Sequence, residues 1–205
     1  MNYGAKHGRG RFFTFLHSDT ILPLNWDEQI ITTFDDEKKG YRVNSCAFSF
    51  GIDTTTEGKL PPPPGIKAVE FVTNLRSRWF SLPYGDQAMT IPSVIFHYVG
   101  GFPDQCLMED YRLVSLLRRR TTSTAKERLV LIASTALCSM RRWSKHGVIY
   151  VALSNWYFVQ LYTNTKKTIT PDELFQQYYG IPSPSRKYIL SPWELELQEQ
   201  QKTNK

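Results

Sequence analysis

Residues 11–20, Arg-Phe-Phe-Thr-Phe-Leu-His-Ser-Asp-Thr, join an apolar run to a polar cluster. Residues 11–16 have the pattern of a strand buried on both faces, as in parallel sheets. The run stops at His17-Ser18-Asp19-Thr20, so polar side chains gather at the strand's C-terminal end. In open α/β sheets that is where ligands bind. The expectation is therefore an α/β fold, with a mixed, mostly parallel sheet flanked by helices.

Downstream, Pro23 breaks the chain, and Asn25 is placed to cap a helix carrying Trp26, Ile30 and Phe34 at i, i+4 and i+8. Residues 41–50 read as a second strand, with Cys46, Phe48 and Phe50 alternating with small residues. Residues 51–65 read as an insertion loop stiffened by Pro61–Pro64, which lack amide donors and favour polyproline II. A helix over 66–80 presents Ala68, Phe71/Val72, Leu75 and Trp79 as its apolar face. Tyr84-Gly85-Asp86-Gln87 reads as a turn before a short strand ending at Ile91. Pro92 opens a helical turn that Gly100-Gly101 closes. Another helix covers about 108–119, with Leu107, Tyr111, Val114 and Leu117 on one stripe. Residues 129–135 suit strand or helix equally. Residues 148–162 and 171–179 read as helices, the second announced by Thr170-Pro171. One partial domain, 1–182, then precedes a polar tail, 183–205.

Composition excludes several classes. The 205 residues carry 25 Lys+Arg against 19 Asp+Glu, a net charge of +6, and 14% are aromatic. Such a chain is long and apolar enough to bury a core and is not of the disordered type. Cys46, Cys106 and Cys138 lie far apart and are odd in number, which argues against a disulfide scaffold. With no Cys-x-x-Cys and four His, a structural zinc site is not expected. Residues 148–162 are interrupted by Ser154, Asn155 and Gln160 and fall short of a membrane span. The reading is a soluble chain of a reducing, cytoplasmic compartment. The aromatic richness of 148–162 leaves transient contact with a membrane surface open.

Acidic residues stand at three breaks between regular elements: Asp19, Asp86 and the pair Glu109-Asp110. Singly, each has a plain structural explanation as a turn former, a cap or a partner of the helix dipole. Their order and context carry more. The segments GRGRFFTFLHSDTILPLNW, VEFVTNLRSRWFSLPYGDQAM, GGFPDQCLMEDYRLVSLLRR and MRRWSKHG, in that order, resemble the C-terminal two-thirds of a family 2 glycosyltransferase. The nearest subgroup is the one named in bacteria for arsenosugar biosynthesis. The resemblance covers about residues 1–180, with gaps at the Pro-rich insertion.

The resemblance implies a GT-A fold and inverting transfer of a sugar from a nucleotide-sugar donor to an acceptor hydroxyl. It places Asp19 at the second acidic position of an Asp-x-Asp motif, with His17 where the general family often has Asp. Both would be ligands to a divalent cation, Mn or Mg, holding the donor diphosphate. A hard cation shared between carboxylate and phosphate oxygens neutralises such a leaving group. Imidazole suits softer metals than magnesium. Asp110 is implied as general base and Glu109 as its acceptor-side neighbour. Asp86 and Gln87 are implied to line the acceptor side. Arg141-Arg142-Trp143 supplies two phosphate-gripping guanidinium groups and a stacking ring. A lone His146 is expected to be structural, as are His7 and His97.

The same resemblance implies further residues before Met1, since Met1-Asn2-Tyr3-Gly4-Ala5 resembles an internal stretch of the family. The expectation is a truncated reading frame, a splice product, or a subunit whose sheet another chain completes. A catalytically inactive remnant acting as an interaction protein is the alternative. A third reading rests on charge: residues 112–145 hold nine Lys/Arg and one acid, Glu127. Such a run attracts nucleic-acid phosphates, although no nucleic-acid motif accompanies it and none is expected as a partner.

Overall fold

The computed structural model describes residues 1–36, 40–55, 61–124, 127–164 and 169–184. In chain order it forms α1 (Asn2–His7), β1 (Phe12–Thr14), β2 (Thr20–Ile21), α2 (Trp26–Asp35), β3 (Arg42–Asp53) and α3 (Ile66–Phe80). A 3₁₀ turn (Gly85–Gln87), β4 (Thr90–Pro92), α4 (Ser93–Tyr98) and α5 (Glu109–Thr124) follow. The described chain ends with β5 (Glu127–Ser139), α6 (Arg141–His146), α7 (Val148–Thr163) and α8 (Pro171–Tyr179).

The class is α/β, and the sheet is mixed rather than mostly parallel. Its order is β1-β4-β3-β5-β2. Among the described residues only β3 and β5 run parallel; β1 with β4, β3 with β4, and β2 with β5 are antiparallel. The apolar run at 11–16 identifies a buried segment, since Phe13 and Phe15 are both in the core. It does not report strand direction, because burial on both faces is available to a short strand in any sheet covered by helices. Residues 129–135 lie within β5. It and β3 form the long central pair, where Ser49 Oγ donates to Ile132 O (2.9 Å) at a register shift between Phe48 and Ser49.

The apolar face expected for α3 points outward. Phe71, Val72 and Trp79 are all exposed, while Ile66 and Ser77 are buried. The reason lies in β3. The pairing of β4 with β3 is confined to Thr90 and Cys46, so β3 continues beyond it with unpaired backbone groups on that flank. Buried main-chain groups must find partners. Asn74 of α3 supplies two: its Oδ1 accepts from Phe50 N (2.7 Å) and its Nδ2 donates to Phe50 O (2.9 Å). One turn earlier, Glu70 Oε1 accepts from Ile52 N (2.9 Å). On the same flank, two residues before Phe50, Gln87 Nε2 donates to Phe48 O (3.0 Å). Polar side chains thus occupy the place of a neighbouring strand, and α3 turns its polar face inward to provide them.

Three apolar clusters fill the interior. Phe13, Phe15, Met89, Ile91, Phe96, Val99 and Phe102 pack with Leu113, Val114, Leu116 and Leu117 of α5. Phe50, Ile52, Ile66, Met140, Trp143 and Val151 join β3, α3, α6 and α7. Ile30, Cys46, Phe48, Ala88 and Ala136 place α2 against the central strands. Helix α8 starts as expected, with Thr170 Oγ1 accepting from Glu173 N and Pro171 at the first position. The part of the Pro-rich loop at 56–60 and the tail from 185 lie outside the described residues. Among the described residues no helix is long and apolar enough to cross a membrane.

Candidate active site

Short connections at the C-terminal ends of β1 and β5 meet the start of α5. The turn after β1 is closed by Thr20 N donating to His17 O (3.2 Å), and Ser139 N at the end of β5 donates to Asp19 O (2.9 Å). These bonds hold His17 and Asp19 beside the β5–α6 junction. There the Asp19 carboxylate lies 3.8 Å from Arg141 Nη2. Arg141 is steadied by its Nε bond to Ser139 Oγ (3.1 Å). Arg142 Nη2 donates to Asn155 Oδ1 (3.2 Å) on α7, and its guanidinium lies 4.9 Å from the Tyr178 ring of α8. One Arg is therefore open at the rim, and the other is braced between two helices.

The acidic side is organised around Gly85. Its N–H donates to Asp110 Oδ2 (3.0 Å), and Asp110 Oδ1 accepts from Tyr111 N (2.6 Å). A Cβ on Gly85 would fall 2.5 Å from His17 Nε2 and 3.5 Å from Asp110 Oδ2. The missing side chain is what lets an imidazole and a carboxylate close on the same peptide. Just before α5, Met108 has φ +62°, a conformation that a long side chain rarely adopts, and it opens the helix that carries Glu109 and Asp110.

Burial raises Asp86 to about 6, helped by the Asp110 charge and opposed by Arg76 and His17. Asp86 Oδ1 is buried without a hydrogen-bond partner, as is Arg76 Nη2. Arg76 stacks 3.7 Å over the Tyr84 ring and donates from Nε to Leu82 O (3.1 Å). Glu109 is also raised, by burial first and then by Asp110. The Cys138 thiol is pushed up to about 12 by burial and by the charges of Asp86 and Asp19, so it is no thiolate nucleophile near neutral pH.

These groups enclose one cavity of about 440 Å³. Its walls include His17, Asp19, Asp86, Glu109, Asp110, Arg141, Arg142 and Trp143. All but one of the residues singled out in the sequence therefore converge. The exception is Gln87, which is fully buried: its Oε1 accepts from Ser77 Oγ (2.7 Å) and Tyr84 N (3.2 Å) while its amide serves β3. It cannot reach an acceptor sugar. Trp143 borders the cavity from within the core, 9% exposed, so its ring is a wall rather than an open stacking platform. His146 stands outside the cavity near Tyr150, and His97 packs on Phe13 and Phe96.

Several lining residues were not anticipated: Tyr84, Tyr111, Asn155, Phe158, Tyr178 and Tyr179. Asn155 had a visible signal, as a polar residue inside an uncharged helical run. The tyrosines had none, because nothing local distinguishes a cavity aromatic from a core aromatic. As to a cation, no group of three or more His, Cys, Asp or Glu is disposed around a common point among the described residues. Asp19, partly exposed at the rim, suits a hard cation that takes one carboxylate and otherwise phosphate and water oxygens. His17 Nε2 is turned against Gly85. Comparison of the chain with protein-family models, with curated proteins and with solved structures gives no match in any of the three.

Proposed function

We propose that the chain is a GT-A-type glycosyltransferase that moves a sugar, with inversion, from a nucleotide-sugar donor to an acceptor hydroxyl. The observation that carries this reading is the convergence of Asp19, Asp86, Glu109, Asp110, Arg141 and Arg142, from four separate segments, on one sugar-sized cavity. Its basic side fits a diphosphate, which guanidinium groups grip through paired N–H bonds. Its acidic side fits a hydroxyl nucleophile.

In this mechanism Asp110 takes the acceptor hydroxyl proton as the oxygen attacks the anomeric carbon. The bond from that carbon to the phosphate oxygen breaks, and its electron pair leaves with the nucleoside diphosphate. Gly85 N–H fixes the base in place. Burial, and then the Asp110 charge, hold the Glu109 carboxyl above the ordinary glutamate range. Asp86 presents a partly buried carboxylate to acceptor hydroxyls. Arg141 and Arg142 neutralise the departing charge, and a Mn or Mg ion on Asp19 would add to that neutralisation.

The test is a transfer and donor-hydrolysis screen over a panel of nucleotide-sugars. In Asp110→Asn, turnover is expected to fall by about a hundredfold or more, with nucleoside diphosphate affinity unchanged by calorimetry. Near wild-type turnover in that variant overturns the assignment of the base. The nucleic-acid reading is not favoured by where the basic residues sit. Arg128 is the second residue of β5 and Arg141 follows its end, about 40 Å away for a strand of that length, so these two do not share one patch.

A further inference from the structure

The two arginines of the cavity are held differently. Arg141 lies 3.8 Å from the Asp19 carboxylate, so its charge has a counter-ion. Arg142 has none: among the described residues no carboxylate lies within ion-pair distance of it. Its partners are the Asn155 carboxamide, whose Oδ1 accepts from Nη2 (3.2 Å), and the Tyr178 ring, 4.9 Å away. Both are neutral, since burial raises the Tyr178 phenol above its ordinary range.

The three side chains come from three helices, α6, α7 and α8, and all line the cavity. Asn155 stands in a helix of 16 residues that carries no charge, so the carboxamide is not one of a row of solvated polar groups. Ordering a long arginine costs rotamer entropy, and a neutral amide and ring order it without neutralising it. A guanidinium has five N–H donors in a planar fork. Asn155 takes one and the Tyr178 ring limits the swing of the group, which leaves donors for paired bonds to phosphate oxygens. An arginine fixed in place with its charge uncompensated is a preformed anion site.

We propose that Asn155 and Tyr178 are positioning residues that present Arg142 to a phosphate group entering the cavity. The inference rests on the sugar-transfer reading for the source of that phosphate, the donor diphosphate. The grip itself is read with neither sugar nor acceptor present.

The experiment is calorimetry of the full chain with inorganic pyrophosphate and a chelator, so that no metal on Asp19 contributes. Binding is expected, weakened by added salt. Asn155→Leu and Tyr178→Leu are each expected to weaken it about threefold to tenfold, because the ligand must then order the arginine. Arg142→Lys keeps the charge and loses the planar fork. On that background Asn155→Leu is expected to cost less than about twofold more, since its effect runs through the fork. A general loosening of the fold would weaken both backgrounds alike, so equal losses overturn the proposal. So does a parent chain that does not bind pyrophosphate. Pyrophosphate binding with the expected pattern of losses, but no transfer from any nucleotide-sugar, supports this inference and removes the sugar-transfer reading. Transfer by a chain whose pyrophosphate affinity is indifferent to Asn155 does the reverse.

Discussion

Asp86 connects one residue's surroundings to the pH response of the whole chain. Its carboxyl titrates near 3.8 when unfolded and near 6 when folded, because burial and Asp110 disfavour the charge. Below about pH 4 both states hold the proton and no penalty exists. As pH rises from about 4 through 6, the folded state must accept a buried carboxylate, so stability falls across that window and levels off above it. The difference corresponds to about 3 kcal/mol as an upper figure. Asp86→Asn is expected to flatten the fall, and to be more stable than the parent above pH 6 but not below pH 4. Urea unfolding across that range checks it; an unchanged profile would assign the pH dependence elsewhere. Gly85 gives a second residue-scale test. Alanine there would displace the His17 ring and disturb the N–H that holds Asp110. A large loss of turnover with little change in substrate affinity is the expected result for Gly85→Ala. Both residues were legible as Gly-Asp-Gln in sequence. What was not legible is that the third member of that triplet faces the core.

At the scale of elements, β3 and α3 explain the main departure from expectation. Periodicity placed a helix at about 66–80, where α3 (Ile66–Phe80) lies, but pointed its apolar stripe inward. Hydrophobic patterning ranks side chains by transfer cost. It has no knowledge of a strand whose partner stops at Thr90 and leaves main-chain groups to satisfy. Asn74 and Glu70 look like ordinary surface residues, and Gln87 like a site residue, until β3 is placed beside them. Asn74→Leu removes both bonds to Phe50 and leaves a donor and an acceptor unpaired, so a loss of about 2–4 kcal/mol is expected in denaturant unfolding. The same change should speed hydrogen exchange at Phe50 more than at Ala47. The carboxylates at breaks between elements could be foreseen as a cluster, since turns at strand ends and helix starts collect on one side of a sheet. The contributions of α7 and α8 could not, because their docking depends on tertiary contacts such as Arg142 with Asn155 and Tyr178.

Across the whole molecule, the long parallel pair is the organising contact. β3 and β5 lie 85 residues apart at Arg42 and Glu127 and pair from there to Asp53 and Ser139. Closing so large a loop is unfavourable until the strands and their covering clusters form together. Amides of residues 46–48 and 130–132 are therefore expected to exchange only through global unfolding. Those of α7 and α8, at the periphery, should open at lower free energy. Equal protection throughout would count against that hierarchy. The side-chain ladder along β3 carries one more consequence. A foreign strand arriving on that flank finds the docking positions past residue 46 already taken by amides and a carboxylate, which a helix holds in place. Templated growth of the sheet through that flank of β3 is thereby blocked.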